Sequence, residues 1–244
     1  MIHTRSLSKR FGHIPALLDF NLDVPAGAVF ALLGPNGAGK TTALRILLNI
    51  LSPGSGDARV LGVDSRRLGP KEMARIGYVS ENRELPDWMR VSAFFAYCRK
   101  FYPDWVDSEA AALVRLFELP LNRPLRSLSR GMRMKAALAA ALAYRPRLLI
   151  LDEPFSGLDA VVREQLLECI AERTPESTVL MATHDLSDVE GFATHVGYLS
   201  EGRLLFAEEM DTLVARFREV EVVTGNEAES RRLCPTCPTC PTPG

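Results

Sequence analysis

A short glycine-rich run near the N-terminus constrains this chain more than any other feature. Residues 34–41 read Gly-Pro-Asn-Gly-Ala-Gly-Lys-Thr, and the apolar stretch 28–33 precedes them. Leucines then recur at helical spacing, at Leu44, Leu47, Leu48 and Leu51. A glycine-rich turn between a strand and a helix lets consecutive backbone N–H groups converge at the helix N-terminus, which suits an anion such as phosphate. The pattern therefore predicts a phosphate-binding loop.

The residue types at the end of this loop, and a second motif further along, indicate nucleotide chemistry. Lys40 would reach the β- and γ-phosphates of a nucleoside triphosphate, and the Thr41 hydroxyl would ligate Mg²⁺. Asp152 and Glu153 follow the continuous apolar run 148–151, which is typical of a strand buried on both faces of a parallel sheet. A carboxylate at the end of such a strand is expected to make a second Mg²⁺ contact, and its neighbour to polarise a water.

Strand and helix patterns alternate along the chain, which predicts an α/β fold with a mainly parallel sheet core, an N-terminal antiparallel β part and a helical insertion. We predict strands at residues 16–24, 28–33, 75–80, 148–151 and 178–182, and a final hairpin at 195–200 and 203–207. Helical patterns cover residues 160–173 and 209–218. The insertion spans about residues 81–145, where the pattern is mostly helical and broken by prolines.

Composition and charge exclude several classes of protein. The chain has 244 residues, of which 29 are Lys or Arg and 30 are Asp or Glu, so no nucleic-acid partner is expected. No apolar run approaches the ~18 residues of a membrane span, and the N-terminus shows no secretory signal. The five cysteines, an odd number, fit a reducing compartment better than a disulfide scaffold. These features predict a cytoplasmic globular protein.

Four further motifs follow in a fixed order. They are Leu-Ser-Arg-Gly-Met at 128–132, Leu-Asp-Glu-Pro at 151–154, Ser-Gly-Leu-Asp at 156–159 and Ala-Thr-His-Asp at 182–185. Together with the loop, they closely resemble the ATP-binding-cassette family, the nucleotide-binding subunits of ABC transporters. The resemblance covers residues 2 to about 220, so we expect one P-loop NTPase domain of the cassette type at 1–220. Residues 221–244 lie beyond it and are predicted to be a disordered tail.

The resemblance implies a role for each matching residue. Phe11 would stack on the adenine of ATP. The loop residues that would bind ATP are Gly34, Pro35, Asn36, Gly37, Ala38, Gly39, Lys40, Thr41 and Thr42. Glu153 matches the general base and His184 the switch histidine that senses the γ-phosphate. The implied Mg²⁺ ligands are Thr41, Glu81 and Asp152.

The resemblance also implies a head-to-tail dimer around two Mg-ATP, formed by identical or by different ATPase subunits. The signature residues that would contact ATP on the opposite subunit are Ser129, Arg130, Gly131 and Met132. Ser129 is also expected to cap the helix that follows it. Asp159 would link the two sites across the dimer.

Four positions depart from the family pattern. Phe11 replaces the usual Tyr, Arg130 a Gly, Met132 a Gln, and Glu81 the Gln of the loop that contacts Mg²⁺. A carboxylate at position 81 can still ligate Mg²⁺, but it adds negative charge beside the γ-phosphate. These changes concern rate and coupling, whereas nucleotide binding is expected to be kept, because Phe11 retains the aromatic ring and loses only a hydroxyl.

The resemblance implies an ATPase that drives a separately encoded membrane permease and lies at the cytoplasmic face of the membrane through that partner. Glu81, Trp88 and the stretch 101–105 look most like the bacterial exporter branch. One alternative is a soluble cassette that acts on DNA or ribosomes, although the long insertions or second cassette of those proteins are missing. Another is a non-hydrolysing regulatory subunit, which the intact catalytic residues disfavour.

The C-terminal segment leaves one question open. Cys234, Cys237 and Cys240 are separated by prolines and threonines and would suit a soft metal. A closed structural zinc site takes four ligands, however, and only three are present here without a nearby histidine. We therefore favour a tail without metal.

Overall fold

Strands and helices alternate through most of the chain, in a computed structural model that describes residues 1–81, 85–174 and 176–216. The strands are β1 (Ile2–Phe11), β2 (Ile14–Phe20), β3 (Asp23–Val24), β4 (Val29–Leu33), β5 (Ser55–Val60), β6 (Val63–Asp64), β7 (Ile76–Ser80), β8 (Leu148–Asp152), β9 (Thr178–Thr183), β10 (His195–Ser200) and β11 (Arg203–Glu209). The helices are α1 (Lys40–Leu47), α2 (Pro70–Met73), α3 (Val91–Arg99), α4 (Asp107–Leu116), α5 (Arg130–Leu142), α6 (Ala160–Arg173) and α7 (Met210–Arg216).

The larger sheet has the order β11-β10-β4-β9-β8-β7 within the described ranges. All neighbours in it are parallel except the hairpin of β10 and β11. Every residue of β8 and β9 is buried, which explains their continuous apolar sequence. Because β4, β7, β8 and β9 run in the same direction, the loops that follow them meet at one edge of the sheet.

The smaller sheet is antiparallel and comes from the N-terminal part of the chain. Its order is β2-β1-β5-β6, and β3 pairs with the other end of β1. One cluster of buried side chains connects this sheet with α1 and the larger sheet, for example Leu7, Phe20, Leu44 and Ile150. The predicted α/β class, with its antiparallel N-terminal part and mainly parallel core, is therefore confirmed.

Several element boundaries differ from the predicted ones. The expected strand 16–24 is two strands, because β2 ends at Phe20 and β3 begins at Asp23. Strands β1, β5 and β6 and the short helix α2 had no predicted counterpart. The predicted insertion 81–145 contains α3, α4 and α5.

Contacts within the chain group Met1–Met210 into one compact unit, with a boundary after Met210. The predicted domain end at 220 and the predicted tail at 221–244, with its three cysteines, lie outside the described residues and stay predictions. No helix within the described part of the chain is long and apolar enough to span a membrane.

Candidate functional site

The glycine-rich residues 34–39 form the turn between β4 and α1, as the sequence predicts. A Cβ on Gly34 would lie only 2.1 Å from the carbonyl oxygen of Leu199, so no side chain fits there. Gly39 has a φ of 109°, and a Cβ on it would lie 2.3 Å from the carbonyl oxygen of Ala16. These two glycines therefore let the loop pass closely over the neighbouring backbone. Lys40, Thr41 and Thr42 follow as the first residues of α1.

Lys40 is buried and connects the loop to the acid after β8. Its side chain is only 5% exposed, and its Nζ donates to the carbonyl oxygen of Gly34 over 2.6 Å. The same ammonium lies 3.0 Å from Glu153 Oε1, in an ion pair that is shielded from solvent. The other carboxylate oxygen, Oε2, lies 2.7 Å from Nδ1 of His184, which follows β9. The structure thus joins three predicted site residues from three different loops through the single carboxylate of Glu153.

Thr41 and Asp152 form a second group beside the first. Thr41 Oγ1 donates to Asp152 Oδ1 over 3.0 Å, and Ser80 Oγ lies 3.5 Å from Oδ2. Burial raises the pKa of the Asp152 carboxyl, while the hydrogen bond from Thr41 opposes that shift. A carboxylate and a hydroxyl are hard oxygen donors of the kind that Mg²⁺ prefers, with phosphate and water completing its shell. The two residues therefore fit the predicted metal contact.

Glu81 lies next to this group through its backbone, and its side chain pairs with an arginine. Its N–H donates to the carbonyl oxygen of Asp152 over 3.1 Å. Its carboxylate accepts a hydrogen bond from Nη2 of Arg130, at the start of α5. The two positions that depart most in charge from the family pattern are therefore ion-paired with each other.

The signature residues begin α5. The Ser129 hydroxyl accepts a hydrogen bond from the N–H of Met132 over 3.3 Å, so the predicted cap is confirmed. Asp159 has the same role in α6, where its Oδ1 accepts from the N–H of Val162 over 2.9 Å. The two helix starts are neighbours, since a Cβ on Gly131 would lie 3.4 Å from Val162. Ser129 and Asp159 thus bond within their own helix starts rather than to the phosphate loop.

Phe11 lies at the end of β1 with 49% of its surface exposed. The Nζ atom of Lys9 stands 5.5 Å from the centre of its ring. An exposed aromatic ring with a cation nearby is able to stack on a flat base such as adenine.

A buried acid, Asp188, follows His184 in the chain and was not predicted from the sequence. Asp188 accepts a hydrogen bond from Thr183 Oγ1 over 2.6 Å and forms an ion pair with Arg163 over 3.2 Å. Burial raises the pKa of this carboxyl. Because Thr183 and Asp188 flank His184 in sequence, their contact fixes the turn that carries the histidine. An acid in a short polar turn is too common for sequence alone to single it out.

Comparison with known proteins gives this site its context. The family model of ABC transporters matches residues 17–156. The ABC transporter ATP-binding protein YtrB of Bacillus subtilis is 31% identical over 224 residues, which are 91% of this chain and 76% of that protein. The lantibiotic transport ATP-binding protein SrtF of Streptococcus pyogenes is 33% identical over 86% of this chain and 92% of its own length. Relatives with similar identity include sulfate/thiosulfate import ATP-binding proteins.

Solved structures have the same fold. An ATP-binding subunit of an ABC transporter superposes with a TM-score of 0.80 at 25% identity, covering 89% of this chain and 93% of its own. A dimeric ATP-binding cassette in a post-hydrolysis state, bound to ADP and Pi, superposes with a TM-score of 0.75 at 23% identity. The overlap covers 86% of this chain and 99% of that cassette.

Proposed function

The chain belongs to the ABC transporter family as an ATP-binding subunit with ATPase activity, and we propose that it hydrolyses ATP to drive a separate membrane permease, as an exporter. The observation that carries this proposal is the buried cluster of Lys40, Glu153 and His184 beside Thr41 and Asp152. The cluster provides a cation for phosphate, a carboxylate base and two oxygen donors for a metal. A nucleoside triphosphatase needs each of these groups.

ATP binding would begin with an exchange of partners at Lys40. In this structure the ammonium is held by the backbone carbonyls of Gly34 and Pro35 and by Glu153. The β- and γ-phosphates carry more negative charge than one carboxylate, so we propose that Lys40 turns to them. The backbone N–H groups of Gly34 and of residues 36–39 would also hold the phosphates, and the ring of Phe11 would stack on the adenine.

Mg²⁺ fits the oxygen donors of Thr41 and Asp152 and, when bound, supplies neutralisation of the phosphate charge. Glu81, the third ligand that the resemblance implies, stays a prediction. Its carboxylate is bonded to Arg130 in this structure, so it would have to exchange that partner to join the other two.

Hydrolysis would use the oxygen of Glu153 that Lys40 releases. Once Lys40 has turned to the phosphates, Oε1 of Glu153 is free to accept a proton from the attacking water. His184 remains on Oε2, 2.7 Å away, and fixes the direction of the carboxylate. The buried position of Glu153, whose side chain is 15% exposed, excludes most competing water. In this proposal the ion pair of the free chain keeps the base inactive until ATP arrives.

The arrangement in the working transporter is also proposed. The side chains of Ser129 and Asp159 bond within their own helix starts, which leaves these starts available to a second subunit in a head-to-tail dimer. A dimeric cassette among the similar structures and the transport functions in the names of several relatives support this assembly. The direction of export rests on the resemblance at Glu81, Trp88 and 101–105, since the relatives include importers as well.

Measuring ATP hydrolysis by the purified chain, alone and with the membrane protein that co-purifies with it in detergent, tests this function. We expect activity that rises with the membrane protein, and a loss of roughly 100-fold or more in Glu153→Gln, because the variant lacks the base. Glu176→Gln, an exposed surface acid, is the control and should keep full activity. Wild-type rates in Glu153→Gln would remove Glu153 from its proposed role. Activity that no membrane partner alters would contradict the transport function.

A further inference from the structure

One guanidinium connects three segments around the proposed nucleotide site. Arg130, the first residue of α5, donates through Nη2 to the carboxylate of Glu81 and, over 3.3 Å, to Oγ of Ser156. It also lies against Gly157, where an added Cβ would stand 2.6 Å from Nη1 of the arginine. Arg130 therefore links the start of α5 to two other segments, the one after β7 and the one between β8 and α6.

The residue that carries the paired carboxylate adjoins the proposed metal site through its backbone. Glu81 donates its N–H to the carbonyl oxygen of Asp152, and the side chain of Asp152 holds Thr41. An unpaired carboxylate at this place would repel the triphosphate and attract its metal, whereas an unpaired guanidinium would do the reverse. The ion pair cancels both effects.

We propose that Arg130 is a positioning residue that holds Glu81 within the same chain and keeps the metal–triphosphate site electrically balanced. The pair then acts as a neutral unit at two positions where the resembled family has the uncharged residues Gln and Gly. This inference rests on the proposed function, because it requires ATP and Mg²⁺ at the loop that contains Lys40.

Replacing Arg130 or Glu81 alone should change the affinity for metal-free ATP and the affinity for Mg²⁺ in opposite directions. In Arg130→Gln the carboxylate of Glu81 is left alone, so metal-free ATP binds more weakly and Mg²⁺ binds more tightly. In Glu81→Gln the guanidinium is left alone, so both changes reverse. Since the side chains of Arg130 and Glu81 are 50% and 25% exposed, solvent screens the charges and each change should be about threefold to tenfold. A merely structural role would weaken both constants together.

The experiment is a calorimetric cycle on the full chain. Metal-free ATP is titrated in EDTA, and Mg²⁺ is titrated into the chain saturated with a non-hydrolysable ATP analogue. We expect opposite shifts in the two single variants, and values within about twofold of wild type in the double variant Glu81→Gln/Arg130→Gln, because it again carries no net charge. Arg130→Lys keeps the charge and should restore both constants; its melting temperature, like that of every variant, shows whether the chain is folded.

A neighbouring ion pair on the same helix provides the matched control. Arg133 donates to Asp87 over 2.6 Å, and neither Arg133→Gln nor Asp87→Asn should change either constant. Single variants that shift both constants in the same direction, shift neither, or are not restored in the double variant would overturn the role of Arg130. If wild type itself fails to bind ATP, or binds it equally well in Lys40→Ala, the proposed function fails instead.

Discussion

Lys40 has two kinds of partner in the free chain, and both are oxygen atoms that phosphate would replace. The carbonyl oxygen of Gly34 and the carboxylate of Glu153 hold the ammonium in a buried position. A buried charge is costly unless it is paired, and these partners offset that cost for Lys40. The same ion pair holds the proposed base, so in the proposed function it would couple nucleotide binding to catalysis.

Replacing this lysine tests the loop at the scale of one residue. Lys40→Ala should weaken ATP binding by about 100-fold or more, because a charged hydrogen bond contributes ~1.5–3 kcal/mol and two phosphates lose their cation. Titration calorimetry with ATP measures the change directly. Lys71→Ala on α2, an exposed lysine far from the loop in sequence, is the control. An unchanged ATP affinity in Lys40→Ala would mean that phosphate binds elsewhere.

Among the elements, the turn after β9 contains a buried acid, Asp188, that makes two polar contacts. Asp188 bonds to Thr183 and Arg163, and its contact with Thr183 closes the turn that carries His184. Burial raises the pKa of Asp188 above its usual 3.8, so the folded chain binds this proton more tightly than the unfolded chain does. The contribution of Asp188 to the free energy of unfolding must therefore fall as pH rises from 3.8 through the raised pKa.

A neighbouring acid in the same turn, Asp185, contributes to the free energy of unfolding with the opposite pH dependence. Hydrogen bonds from Ser187 hold the pKa of Asp185 below 3.8, so its contribution is present above that pH and is lost as pH falls. Urea unfolding of Asp188→Asn and Asp185→Asn, each compared with wild type between pH 3 and 7, measures the two contributions. We expect the advantage of wild type over Asp188→Asn to shrink with rising pH, and its advantage over Asp185→Asn to grow. Equal slopes would contradict the burial of Asp188.

Elements with strong local signals are the ones that the sequence predicts well. Helix α6 was expected at 160–173 and is observed at Ala160–Arg173, because Asp159 caps its start. Strand β5 was missed, since Ala58 and Val60 are its only buried side chains within the described part of the chain. Backbone pairing with β1 stabilises this strand, for example between Thr4 and Ala58. Because the partner is distant in the chain, a local sequence pattern does not indicate the pairing.

The same distinction applies to the candidate site. The glycine loop and the acids after β8 carry local patterns, so their positions follow from sequence. The pairing of Lys40 with Glu153 and of Arg130 with Glu81 joins distant segments, and only the fold brings them together. From the sequence, Glu81 and Arg130 are two separate departures from the family pattern. In the structure they form one ion pair.

At the scale of the whole molecule, the larger sheet gathers the loops after β4, β7, β8 and β9 at one edge, while the signature begins a helix of the insertion. The Ser129 side chain caps that helix and makes no other hydrogen bond within the described residues. A helix N-terminus with its cap intact is suited to an anion. In the proposed head-to-tail dimer that anion is ATP on the partner, so every site would combine Lys40 of one subunit with Ser129 of the other.

Mixing two inactive variants tests this shared site. Lys40→Ala disables the loop, and Ser129→Asp keeps a capping side chain but places a negative charge towards ATP. In a mixed dimer both defects fall in one site and the other site is intact, so equal mixing should restore up to about a quarter of wild-type ATPase activity, because half of the symmetric dimers are mixed and each has one working site of two. Mixing Lys40→Ala with a chain that carries both substitutions leaves no intact site and should restore nothing. Activity that stays at the sum of the separate variants would show that each subunit hydrolyses ATP without the signature of its partner.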